Sequence, residues 1–132
     1  MNAFIIDLEN RPGSLARVAE AIAEKGINIT GVAGVTSGAT GSITILANDE
    51  PGTRVALEGI GATYREVALI SARLAHRPGS LADAARRLAD AGVNIEALLP
   101  TGMDGGTVTV AFAVGDPQAA TQALGELAGV GS

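Results

Sequence analysis

Hydrophobic and polar residues alternate from the start of the chain. Phe4, Ile6 and Leu8 are interleaved with Ile5, Asp7 and Glu9, the two-residue period of a half-buried β-strand. Pro12-Gly13-Ser14 breaks that pattern. Leu15, Val18, Ala19, Ile22 and Ala23 then recur at helical spacing and predict one core-facing apolar stripe. Gly26 stands where a helix C-cap glycine is expected. Ile27, Ile29 and Val35 predict a second strand, interrupted by Gly31 and Gly34, and Ser37 to Gly41 reads as a turn. Ile43 and Ile45, alternating with Thr44 and Leu46, predict a third strand. Pro51-Gly52 opens a weaker helix over Val55–Ile60, and Thr63–Val67 can form a short fourth strand.

The pattern then starts again. Arg11-Pro12-Gly13-Ser14-Leu15-Ala16 returns as Arg77-Pro78-Gly79-Ser80-Leu81-Ala82, and Gly26-Ile27-Asn28-Ile29 returns as Gly92-Val93-Asn94-Ile95. Without a gap, 11 of 20 positions agree between residues 10–29 and 76–95, an offset of 66. A repeat at fixed spacing means one supersecondary unit built twice. The second copy predicts a strand over Leu69–Leu74 and a helical stripe of Leu81, Ala84, Ala85, Leu88 and Ala89. A strand over Val93–Leu99 follows, then a turn at Gly102–Gly106 and a strand carrying Val108, Val110 and Phe112. Asp116-Pro117 has the form of an N-cap followed by a first-turn proline, starting a helix through Leu127. The fold expected is α+β: two ferredoxin-like βαββαβ sandwiches in tandem, residues 1–66 and 67–132, each an antiparallel sheet with helices on one face. Ala62 to Ala75 holds no glycine or proline, so the junction is expected to be extended chain shared by both units. Only Gly129-Val130-Gly131-Ser132 follow the last helix. The final strand should be very short or absent, leaving a sheet edge open to pairing with another chain.

Composition narrows the function. The chain has 132 residues, 47% of them hydrophobic but only 2% aromatic, so the core must be built of Ala, Val, Ile and Leu. A net charge of −5 argues against nucleic acid and anionic membrane as partners, since both need a basic face. No cysteine and a single histidine argue against thiol chemistry and a classical metal cluster. With no apolar run long enough to span a bilayer and no signal peptide pattern, a cytoplasmic location is expected. No cofactor is implied. The chain shows no paired nucleophile and base and no phosphate-binding loop, so it is not read as an enzyme.

The Arg-Pro-Gly-Ser-Leu turn between strand and helix, with Gly-Ile/Val-Asn-Ile at the end of that helix, resembles the ACT domain. ACT domains are small ferredoxin-like modules that regulate amino-acid metabolism by binding an amino acid or a related ligand. The resemblance covers nearly the whole chain, as two copies. In serine-regulated phosphoglycerate dehydrogenases the motif begins His-x-Asn-Arg-Pro-Gly, and its histidine and two asparagines hold the effector. The first half matches at Asn10, Arg11, Pro12, Gly13 and Asn28, with Leu8 at the histidine position. The second matches at Arg77, Pro78, Gly79 and Asn94, with Leu74 at the histidine position and His76 in place of the first asparagine. These departures argue against serine itself as the ligand. By analogy, a ligand would lie at the seam between two units, where one unit's loop faces the other's edge strand.

A free amino acid needs donors for its carboxylate and acceptors for its ammonium. Gly13-Ser14-Leu15 and Gly79-Ser80-Leu81 place backbone N–H groups at a helix N-terminus, where an anion is favoured. Glycine permits close approach to the backbone, and the amides of Asn10, Asn28 and Asn94 offer both donors and acceptors. With His76 these form the candidate ligand-binding set. The same residues have structural readings: Ser14 and Ser80 as helix N-caps, Asn10, Asn28 and Asn94 as turn residues, His76 as a solvated side chain, and Asp7 and Glu9 as a solvated strand face. The leading reading is a regulatory protein that senses an amino acid or similar small effector, works through a partner enzyme or its own oligomer, and pairs as a homodimer through sheet edges. The alternative is an obligate regulatory subunit resembling the small subunit of acetolactate synthase, acting mainly through protein–protein contact.

Overall fold

The structure, a computed structural model, describes residues 1–128, so Gly129–Ser132, where the final strand is expected to be very short or absent, lies outside the described residues. Two compact units divide the chain, one of Asn2–Glu66 and one beginning at Val67.

The N-terminal unit runs β1 (Asn2–Glu9), α1 (Ser14–Glu24), β2 (Ile29–Ser37), β3 (Thr40–Ala47) and α2 (Glu50–Gly59), then the first residues of β4 (Tyr64–Ala75). Its strands lie in the order β2-β3-β1-β4. That is the antiparallel arrangement of the split βαββαβ fold. β1 pairs with β3 from Phe4↔Ile45 to Glu9↔Thr40, and β3 pairs with β2 as a hairpin closed at Ser37↔Thr40. The expected five-residue turn is thus only Gly38-Ala39. Phe4 and Ile6 of β1 and Ile43 and Ile45 of β3 meet Val18 and Ile22 of α1 and Ala56 and Leu57 of α2, so both helices cover one face. Each helix ends in a Schellman turn. In α1, Gly26 N–H donates to Ala23 C=O and Ile27 N–H to Ile22 C=O. That motif places Ile27 over Ile22, and both are buried.

Three expectations need correction here. β1 is half-buried only toward its end, where Asp7 and Glu9 are exposed; along Ala3–Ile6 both faces are buried, with Ile5 directly opposite buried Thr44. The second helix starts five residues before Val55, at Glu50, ahead of Pro51-Gly52, because Asp49 caps it: its carboxylate accepts the Gly52 N–H at 3.0 Å. Finally, the apolar stripe of α1 is not wholly core. Leu15 is 53% exposed, and burial begins one turn later at Val18. Side chains lean toward a helix's N-terminus, so those of the first turn project past the end of the sheet.

The C-terminal unit holds the remainder of β4, α3 (Ser80–Asp90), β5 (Ile95–Asp104), β6 (Thr107–Val114), α4 (Pro117–Leu124) and a 3₁₀ turn at Gly125–Leu127. The runs expected as two strands on either side of the junction are one continuous strand of 12 residues. Within this unit the order is β4-β6-β5, and Ala128 makes a single antiparallel bridge to Ala72. Ile70, Ala72, Leu74, Phe112 and Val114 pack on Ala84 and Leu88 of α3 and Ala120 and Leu124 of α4. As in α1, the first apolar residue of the helix is not core: Leu81 is 48% exposed. Asp116 caps α4 by accepting the Ala119 N–H at 3.0 Å. β5 extends five residues past the expected Leu99 and tolerates Pro100 because it is an edge strand with an irregular register there.

Candidate functional site

The β1–α1 loop is built by local chemistry. Arg11-Pro12-Gly13-Ser14 forms a β-turn closed by Ser14 N–H donating to Arg11 C=O at 3.3 Å. Gly13 has φ 91° and ψ −13°. Proline at the second position and a left-handed third residue define a type II turn, which calls for glycine there. Gly79 repeats it with φ 91° and ψ −14°, and Ser80 N–H donates to Arg77 C=O at 3.4 Å. The glycine therefore has a conformational reason of its own. Ser14 and Ser80 are not N-caps. Each is the first helical residue, the capping positions are Gly13 and Gly79, and neither helix start has a side-chain cap. The first intrahelical bonds are Arg17 N–H to Gly13 C=O and Asp83 N–H to Gly79 C=O, so the N–H groups of Leu15, Ala16, Leu81 and Ala82 precede each ladder.

Asn10 anchors the loop sideways. Its backbone N–H donates to Ala39 C=O, and its side-chain amide donates to Gly38 C=O at 2.8 Å, tying the loop to the β2–β3 turn. His76 makes the matching backbone bond to Gly106 C=O at 2.7 Å, with its side chain exposed. Asn10, Gly13, Ser14 and Leu15 thus gather at one loop, and His76, Gly79, Ser80 and Leu81 at the other.

Asn28 and Asn94 are not brought to these loops. Each follows the far end of a helix of 11 residues, a length of about 16 Å. Asn28 is held through its backbone: its N–H donates to the Asn48 side chain at 3.0 Å, and the Asn48 N–H donates to its carbonyl at 3.1 Å. The Asn94 amide donates to Glu96.

Two clefts flank the β1–α1 loop of the N-terminal unit. The smaller, about 310 Å³, lies on the β2 side, among Asn10, Leu15, Gly34, Val35 and Ile43. The larger, about 700 Å³, lies on the β4 side, among Asp7, Glu9, Arg11, Arg17, Ile60 and Thr63. Gly13, Ser14, Arg17, Val18 and Thr40 also line the larger one, and it is bridged by Arg17, whose guanidinium donates to Ile60 C=O at 2.6 Å. Arg17, Thr63 and Asn48 are not among the sequence candidates, since an arginine on a helix surface or a threonine in a turn carries no spacing signal. Asp7 and Glu9 are exposed, as expected of a strand face, yet they form a cleft wall. Among the described residues no group of three His, Cys, Asp or Glu could hold a metal ion, and no helix is long and apolar enough to cross a membrane.

Away from the loop, Arg54 pairs with Glu66 through two nitrogens, and the Asn2 amide donates to Glu66 at 3.1 Å. The Arg54 hydrogen bond holds the Glu66 carboxyl below the usual carboxylate range. Burial, with the bond to Glu58, pushes the Tyr64 phenol up.

Comparison with known proteins agrees with this geometry. The model of the ACT domain family matches residues 3–60. No curated protein matches the chain. Among solved structures, a protein of Bacteroides thetaiotaomicron is similar in fold at 21% identity, covering 93% of this chain and 85% of that one with a TM-score of 0.77. The ligand-free regulatory subunit of aspartate kinase from Thermus thermophilus is similar at 20% identity, covering 96% and 91%, with a TM-score of 0.69. Its counterpart from Thermus flavus is 22% identical over 93% and 90%, with a TM-score of 0.65.

Proposed function

We propose that the chain is a tandem of two ACT domains, residues 1–66 and 67–132, and a non-catalytic regulatory protein of the cytoplasm. It binds an amino acid or a related metabolite at its strand–helix loops and passes that state to a partner enzyme or through a homodimer. The observation that carries this reading is the recurrence of one loop at an offset of 66 residues, with the same turn and the same φ of 91° at Gly13 and Gly79. Each loop offers backbone N–H groups ahead of a helix to an anionic ligand group. The fold shared with regulatory subunits of aspartate kinase supports the same role.

A second reading, an interaction subunit that needs no free ligand, draws on the edge strands. Val32 and Val35 on β2 and Leu98 and Met103 on β5 are large, apolar and exposed, a pattern suited to pairing with another chain.

A dye-based thermal-shift screen against the amino acids and common biosynthetic end products decides between the two. Ligand that binds only the folded state raises the melting temperature by mass action. A shift of several degrees with one compound or a small related set supports the sensor. No shift with any of them refutes it and leaves the interaction subunit, which a pull-down then tests.

A further inference from the structure

The two clefts beside the N-terminal loop differ in chemistry, and the difference selects one of them. The smaller is walled by Leu15, Val35 and Ile43 with glycine between them. The larger sets carboxylates, Asp7 and Glu9, and guanidinium groups, Arg11 and Arg17, around a floor that includes buried Val18. Its volume of about 700 Å³ falls within the usual range for small-molecule sites.

Backbone geometry adds a polar group. Asp7 N–H donates to Thr63 C=O at 2.9 Å. Alternation along a strand turns the Glu9 N–H to the same side. There the chain has already left the sheet through the left-handed Gly61 at the end of α2. The strand edge at Glu9 therefore faces the cleft.

The repeat shows that three of these charges, at Asp7, Glu9 and Arg17, are not a requirement of the fold. The loop itself, Arg11-Pro12-Gly13-Ser14-Leu15-Ala16, is copied at 77–82, but the residues at the same offset from Asp7, Glu9 and Arg17 are Arg73, Ala75 and Asp83. The framework is duplicated with Arg11, and the charges at Asp7, Glu9 and Arg17 are not. An ion pair inside the constellation, Arg11–Glu9 at 3.1 Å, joins two side chains each 69% exposed. An exposed pair of this kind is held weakly and exchanges readily for other partners.

We propose that the larger cleft is the seat of one amino-acid zwitterion per chain. Asp7 and Glu9 receive its ammonium group, Arg11 and Arg17 its carboxylate, and the β2-side cleft remains empty. This rests on the amino-acid-effector reading above and goes further by naming the face of the loop, the residues and the stoichiometry.

The test is a nitrogen-15 amide correlation spectrum of the whole chain, titrated with each of the twenty amino acids in turn, with calorimetry for stoichiometry. The expected result is one ligand per chain, with shifts centred on Asp7, Gly61 and Thr63, which line only the larger cleft. Asp7→Asn is expected to weaken binding about tenfold, the loss of one charge-assisted contact, while Val35→Ser leaves it unchanged. Binding that shifts Gly34 and Val35 instead, or that Asp7→Asn leaves intact, overturns the proposal but not the effector reading. Two equivalent ligands per chain overturn it as well. If no amino acid perturbs the spectrum, the proposal falls, and the effector reading stands or falls on the wider screen of biosynthetic end products.

Discussion

Replacing Gly13 by alanine isolates the backbone cost of the loop. An added Cβ at Gly13 meets no atom within 4 Å, so no steric clash contributes. What remains is the left-handed conformation at φ 91°, which costs a residue with a side chain roughly 1–2 kcal/mol. Alanine recovers about 0.4–1 kcal/mol of this by restricting the unfolded chain. The net loss expected is about 1 kcal/mol, and Gly79→Ala should lose the same, since Gly79 has the same φ and the same open surroundings. For units of this size that is a fall in melting temperature of about 4–8 °C. Gly59→Ala is the control: it lies in α2 with no left-handed φ and nothing near its added Cβ, and should be neutral or mildly stabilising. The assay is urea denaturation followed by far-ultraviolet circular dichroism, because the chain has no tryptophan. Full stability of Gly13→Ala, or a difference above about 1 kcal/mol between the two loop variants, would refute the matched type II turns on which this reasoning depends.

Gly52→Ala is expected to destabilise by about 1 kcal/mol or more, the worth of a lost cap, although alanine is ordinarily the better helix residue. The new Cβ would collide with the Asp49 carboxylate and come within 2.8 Å of Ile27 Cδ1; a gain in denaturation midpoint would contradict this. Glu66 provides a pH dependence. Arg54 depresses its carboxyl below the unfolded value, so its contribution is present above the usual carboxylate range and is lost as pH falls through the depressed value. Denaturation midpoints of Glu66→Gln should therefore decline less steeply on acidification than those of the parent chain, and parallel curves would show the pair to be neutral.

Much of the architecture follows from local rules that sequence obeys directly. The loop motif fixes a type II turn because proline sets one dihedral angle and only glycine accepts the next. Gly26 and Gly92 stop their helices for the same steric reason, each with a left-handed φ. Alternation on β1, β3 and β6 and the spacing of Val18, Ile22, Ala84 and Leu88 mark the faces that pack together. The offset of 66 residues ties one loop to its copy in the sequence alone. Tertiary structure decided what depends on distance. It separated Asn28 and Asn94 from the loops they accompany in the motif, because a straight helix lies between. It exposed Leu15 and Leu81, since helical periodicity identifies a face but not where the sheet beneath it ends. It also brought Asp7, Arg17 and Thr63, drawn from a strand, a helix and a turn, around one cleft. No spacing along the chain encodes that meeting, because it arises only when β1, α1 and the end of α2 are packed against one another.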